Sequence, residues 1–216
     1  MGESEAGRHA TSLLAASFNT IPARRTISHP TEWSEFVPVI CQGWATSSVA
    51  LPDGRRQILS FLLPGDMFSV ASVFEPMSGR LVEAVTEVTY RNYKRNELKA
   101  ALFEHPDLLE MLAKSWIEEK RQADQLAVDL GRRTANERIA RLILNLLDQL
   151  AKRGMAQDQT IEFPLRQHHV ADATGLTPVH VSKVLSEFRR GGLIEISNRS
   201  LKILDVARFQ RVANQR

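Results

Sequence analysis

The sequence predicts an α+β chain: a small antiparallel β-barrel or sandwich, then a long helix, then a C-terminal winged helix-turn-helix. Three observations predict it. Between about residues 35 and 95, short β-rich runs alternate with turn signals. After Pro106, apolar residues recur every 3.5 positions, with no Gly or Pro until Gly131. Residues 165–194, LRQHHVADATGLTPVHVSKVLSEFRRGGLI, read as two short helices joined by a Gly-containing turn. The expected layout is a flexible tail over 1–20, a β domain over 21–106, a helix over 107–131 and the winged module over 132–216.

In the β domain, Phe36-Val37-Pro38-Val39-Ile40 is one strand run and Gln57 to Leu62 another. Leu81 to Tyr93 holds a third and leaves room for a fourth. Pro52-Asp53-Gly54 and Pro64-Gly65-Asp66 separate them, with φ preset at Pro and the turn closed by Gly or Asp.

Asp107 is the expected N-cap of the long helix. Leu109, Leu112, Trp116, Glu119, Ala123, Leu126 and Leu130 follow at alternating spacings of three and four, with Glu119 the one polar interruption. About 24 residues make a rod of about 36 Å. Such a seam suits a homodimer; the alternative is a stripe packed on the chain's own barrel. A second helix starts at Thr134, where Glu137 completes a capping box. Ile139, Leu142, Ile143, Leu146, Leu147 and Leu150 form its apolar face and Gly154 ends it.

In the helix-turn-helix, Val170, Ala171 and Ala173 face inward and Gly175 makes the turn. Thr177 caps the second helix, with Pro178 in its first position. Val181, Val184, Leu185 and Phe188 form the inward stripe, and Gly191-Gly192 ends the helix. Leu193 to Ile196, a turn at Asn198-Arg199-Ser200, and Leu201 to Leu204 then read as a β-hairpin wing. In such a module the second helix enters the major groove.

Charge agrees. The net charge is +3, but residues 181–216 carry eight Lys or Arg against three acids, so this end is +5 and the other 180 residues sum to −2. A basic terminal module suits phosphate neutralisation. The 43% hydrophobic and 25% charged composition is that of a folded chain. No window approaches the roughly 18 uncharged apolar residues of a membrane span. The first twenty residues lack the apolar stretch of a secretion signal, and Ala6 stands where a myristoylation motif wants Ser or Thr. The single cysteine, Cys41, excludes an intramolecular disulfide, a four-cysteine zinc site and an all-cysteine iron–sulfur cluster within one chain. A cytoplasmic protein is expected.

Residues 53–59 (DGRRQIL), Pro64-Gly65-Asp66, Glu137-Arg138-Ile139-Ala140, Val170-Ala171-Asp172, Gly175-Leu176-Thr177 and Val181-Ser182-Lys183 together resemble the Crp/Fnr family of bacterial transcription regulators. The resemblance runs from about 35 to 210. It implies an N-terminal cyclic-nucleotide-binding-type β-roll as effector or sensor domain, a long dimerisation helix and a C-terminal winged helix-turn-helix. It also implies a homodimer on a palindromic operator in double-stranded DNA, with RNA polymerase a further partner if the protein activates. The roll looks short, since the family usually has one or two strands before the equivalent of residue 35.

The family's recognition helix usually carries Glu, two variable positions, Ser and Arg. Here Val179, His180, Val181, Ser182 and Lys183 stand in that order. Lys183 keeps the charge without the bidentate fork, and Val179 can pack on a thymine methyl but cannot accept from cytosine. The half-site should therefore depart from the family's usual sequence. The candidate DNA contacts are Arg166, Gln167, His168, Thr177, Val179, His180, Ser182, Lys183, Arg199 and Lys202. Arg189 and Arg190 are either phosphate contacts or solvated.

The candidate effector pocket holds Val70 and Arg80. Relatives that bind cyclic AMP use a Gly-Glu-Leu run and an Arg-Ser or Arg-Thr pair. Here Ser69-Val70-Ala71 and Arg80-Leu81 align with them, so the ribose acceptor and phosphate hydroxyl are missing. No cofactor is expected. Only His29 and His105 could bring haem to the sensor, and Cys41 reads as a packed small hydrophobe. Rival classes are an interaction module without DNA contact and a cupin-like enzyme. Residues 36–95 contain no histidine to ligate a cupin metal, and no P-loop, nucleophile elbow or HExxH occurs, so no enzyme is expected.

Overall fold

The structure is a computed structural model that describes residues 16–27, 35–75 and 79–214. The chain divides into two compact units, 1–124 and 125–216, and the boundary falls within one long helix.

The first unit holds β1 (Ala16–Ile21), β2 (Phe36–Gln42), β3 (Ala45–Ala50), β4 (Arg56–Leu62), β5 (Leu81–Ala84) and β6 (Val88–Lys94). Two three-stranded antiparallel sheets result, ordered β1-β6-β2 and β4-β3-β5. Ile27, Ile40, Ala45, Leu62, Phe68, Val82, Ala84, Val88 and Tyr90 form one core. The strands expected from the sequence are present, and two more join them. β1 takes residues 16–20 out of the expected tail, while residues 1–15 lie outside the described part. The Arg91 guanidinium sits 4.4 Å from the Phe18 ring centroid, which helps dock β1 on β6. The roll therefore has a strand before residue 35, and the backbone of residues 24–27 also bonds along β5.

β3 escapes the alternation rule because Ala45, Thr46, Ser47 and Ser48 are all buried. Two of its hydroxyls reach neighbouring backbone: Thr46 Oγ1 donates to the Glu83 carbonyl at 3.5 Å and Ser48 Oγ to the Leu81 carbonyl at 3.4 Å. Gly43 makes the corner between the two sheets. Its φ is +85°, and a Cβ there would lie 2.0 Å from the Glu87 carbonyl oxygen.

A short 3-10 turn (Val70–Val73) follows β4, and two helices follow β6: α1 (Arg95–Glu104) and α2 (Pro106–Arg132). α1 has no Gly or Pro signal at its start, and it went unpredicted. Asp107 lies inside the first turn of α2 rather than at its N-cap, because Pro106 already occupies a helical position. Val37, Val70, Val73, Leu102 and Leu112 form a second core, flanked by Met67, Leu98 and Leu108. Cys41 is half-buried; its Sγ–H points at the Val39 carbonyl, and burial pushes its thiol up against the opposing effect of Arg91.

The second unit starts with the end of α2 and continues as α3 (Ala135–Lys152), β7 (Ala156–Gln157), β8 (Thr160–Glu162), α4 (Gln167–Thr174), α5 (Pro178–Arg190), β9 (Ile194–Ser197), β10 (Ser200–Ile203) and α6 (Val206–Ala213). The Thr134 cap is as expected: Glu137 Oε2 accepts the Thr134 N–H at 2.8 Å and its hydroxyl at 2.7 Å. Those bonds hold the Glu137 carboxyl below its usual range. Ile139, Ile143, Leu146 and Leu150 are buried, whereas Leu142 and Leu147 are half-buried. The wing hairpin is part of a larger antiparallel sheet ordered β7-β8-β10-β9. Among the described residues no helix is long and apolar enough to cross a membrane.

The corner at Gly43 yields a prediction. Gly43→Ala combines a left-handed φ with a backbone clash, so it should cost about 3 kcal/mol or more. Urea unfolding of the variant and wild type, followed by Trp fluorescence, measures this.

Candidate nucleic-acid interface

α4 buries His169, Val170, Ala171, Ala173 and Thr174. Gly175 ends it at φ 65°, ψ 34°, a left-handed conformation in which a side chain would be strained. A Cβ at this position would also come within 3.1 Å of Leu130 Cδ2. Thr177 then caps α5 by accepting the His180 N–H at 3.2 Å, with Pro178 in the first turn. Val181, Val184, Leu185 and Phe188 are buried, and Phe188 meets Phe209 of α6 edge-on at 5.3 Å. These contacts fix which face of α5 looks outward.

That face carries Val179, His180 and Lys183, all exposed, beside the half-buried Ser182. Val179 is 80% exposed. The candidate contacts on α4 sit at its start. Arg166 and Gln167 are exposed, and His168 is half-buried with its ring 4.0 Å from that of His169. His169 was missed by sequence reasoning. Its Nδ1 accepts the Arg166 N–H at 3.1 Å, so that ring nitrogen carries no proton and satisfies an open N–H of the helix start. The sequence signal was its place three residues beyond Arg166, where capping side chains reach back.

On the wing, Asn198 (φ 48°) and Arg199 (φ 60°) form a two-residue turn with both residues left-handed. Asn tolerates that conformation; Arg pays about 1–2 kcal/mol for it. Arg199 is exposed at the tip. Lys202 is exposed on β10 and pairs across the ladder with Glu195, which offsets its charge. Arg189 and Arg190 are exposed in the last turn of α5, where cations also suit the helix C-terminus. Arg208 is engaged locally, donating to the Gly191 carbonyl at 3.1 Å.

The seam residues of α2 separate into two sets. Leu109, Trp116 and Ala123 are exposed. Leu112 is buried in the roll's second core. The Glu119 carboxylate binds Ser69, Val70 and Arg80 of the first unit. Leu126 and Leu130 are half-buried. In the candidate effector pocket, the Val70 N–H and the Arg80 guanidinium both meet Glu119. For a cofactor, His29 lies outside the described residues and His105 is exposed between α1 and α2. Among the described residues no group of three or more His, Cys, Asp or Glu gathers as a metal site.

Comparisons with known proteins agree with this geometry. The cyclic nucleotide-binding domain family matches residues 18–105, and the Crp-like helix-turn-helix domain family matches residues 137–212. The chain is 34% identical over 166 residues to the nitrogen fixation regulation protein FixK of Bradyrhizobium diazoefficiens, covering 76% of this chain and 68% of FixK. It is 30% identical over 183 residues to the transcriptional activatory protein AadR of Rhodopseudomonas palustris, covering 84% of this chain and 75% of AadR. The solved structure of FixK2 from Bradyrhizobium japonicum matches with a TM-score of 0.81 at 28% identity, covering 92% of this chain and 98% of that one. With a roll in its first unit and a capped helix-turn-helix in its second, the chain belongs to the Crp/Fnr family of DNA-binding transcription regulators and is not an enzyme.

Proposed function

We propose that the chain acts as a homodimer, pairing along α2, and reads a two-fold symmetric operator with the N-terminal half of α5. The observation that carries the reading half is Val179. An apolar side chain so exposed, one turn before Lys183 on a helix whose other face is buried, is placed to meet a base edge. Lys183 and Ser182 would hydrogen-bond to bases, and Val179 would pack on a thymine methyl. His180 would reach a base edge or a phosphate. Thr177 holds the start of the helix in place. Arg166, Gln167 and His168 at the start of α4 would sit on phosphates, as would Arg199 and Lys202 on the wing.

The dimer half rests on α2. With Leu112 and Glu119 turned to the roll, Leu109, Trp116 and Ala123 stay exposed seven residues apart, with Ile117 (69% exposed) beside them. Seven-residue spacing is what a second copy of the same helix can match. Such a regulator works in the cytoplasm. AadR is described as activatory; if this chain also activates, RNA polymerase is its further partner.

Selection of bound sequences from random duplexes by the purified protein tests both halves. The expected product is a palindrome with half-sites about one helical turn apart; a single asymmetric half-site bound by one chain would overturn the dimer. Lys183→Ala should weaken the selected operator by about 1–3 kcal/mol and leave non-specific binding almost unchanged. Equal affinity for that operator would sink the assignment of α5.

Arg199→Gly separates stability from binding. Relief of the left-handed strain should stabilise the fold by about 1 kcal/mol. Loss of a phosphate contact should lower the slope of log affinity against log salt by about one, for every sequence tested. Thermal unfolding and salt-dependent titration on the same variant measure the two effects.

A further inference from the structure

Three donors converge on one carboxylate in the first unit. Glu119 Oε1 accepts the Ser69 hydroxyl at 3.2 Å and Arg80 Nη1 at 3.3 Å, and Oε2 accepts the Val70 N–H at 3.0 Å. The donors come from the segment between β4 and β5, and the acceptor from α2, 39 to 50 residues further on. We propose that Ser69, Val70 and Arg80 form a binding site for a planar carboxylate, and that the chain fills this site itself with Glu119. α2 is thereby clasped to its own roll without a diffusible ligand.

Burial supports the assignment. Ser69 and Val70 are buried, so the hydroxyl and the amide face a cost if no acceptor meets them. The Arg80 and Glu119 side chains are each about a third exposed, so a small anion from solvent can reach the same donors once Glu119 is gone. Both carboxylate oxygens are used, which fixes the orientation of the group as well as its charge. Two turns earlier, Leu112 packs with Val70 in the second core, so an apolar contact and an ionic one hold the same face of α2. The clasp also accounts for a charged residue within an apolar series.

Chemical rescue tests it. Glu119→Ala leaves the three donors facing a gap the size of a carboxylate. The melting temperature of the full chain is measured in sodium formate, acetate or phosphate against sodium chloride at matched ionic strength. We expect the variant to melt several degrees below wild type in chloride. Formate or acetate at tens of millimolar should recover at least half of that loss, by binding the folded state alone. Wild type should not respond, nor should the double variant Glu119→Ala with Arg80→Ala, and phosphate should rescue less than formate. A variant as stable as wild type in chloride overturns the clasp. A formate response equal in variant and wild type overturns the site, as does rescue that survives loss of Arg80. Should the alanine variant not fold, Glu119→Gln keeps the size and gives up the charge. Amide exchange at Val70 is then expected to be about tenfold faster than in wild type, and an unchanged rate overturns the proposal.

Discussion

Burial of Leu112 among Val37, Val70, Val73 and Leu102 is the constraint from which the rest of the first unit follows. It commits one face of α2 to the roll. Full burial of a leucine is worth about 2 kcal/mol, enough to bias the rotation of a helix about its axis. Once that face is set, Glu119, seven residues on, falls on the same side and meets Ser69, Val70 and Arg80. Leu109, Trp116 and Ala123 are left outside. Trp116 does not stand alone there, because its ring stacks on Phe74 at 6.1 Å. One helix thus serves its own unit with one stripe and leaves a second exposed.

The second unit is organised by the same economy. α5 is held from beneath by Val181, Val184, Leu185 and Phe188, and from its start by Thr177. The strained conformation that joins α4 to α5 is taken by Gly175, the residue for which it is easiest. At the wing tip it is taken by Arg199. Arginine is a poor choice for a left-handed turn and a good one for meeting phosphate.

The reading module was legible because its signals are local. Gly175, Thr177, Pro178 and the stripe ending at Phe188 each speak through their own neighbours in sequence, and each stands where the pattern placed it. The capping box at Thr134 is local in the same sense. Elements without such signals were not seen. β3 is small and polar because both its faces are covered. β7 and β8 are two and three residues long, and the turn between them, Asp158-Gln159, has no glycine to announce it. β1 depends on pairing with β6, some seventy residues away, and no property of residues 16–21 alone predicts that.

The amino-acid sequence by itself therefore determined the order of the parts and the outward face of α5, since helix period, caps and turns are near-neighbour physics. What only the tertiary structure decided is the division of labour on α2. Periodicity shows that Leu109, Leu112, Trp116 and Glu119 share a broad stripe, but not how that stripe is split. The split depends on where the roll's apolar surface and its three hydrogen-bond donors lie in space, and those come from strands and turns as far off in sequence as Val37. A carboxylate that looked like a flaw in a seam is, in three dimensions, the acceptor that three donors share.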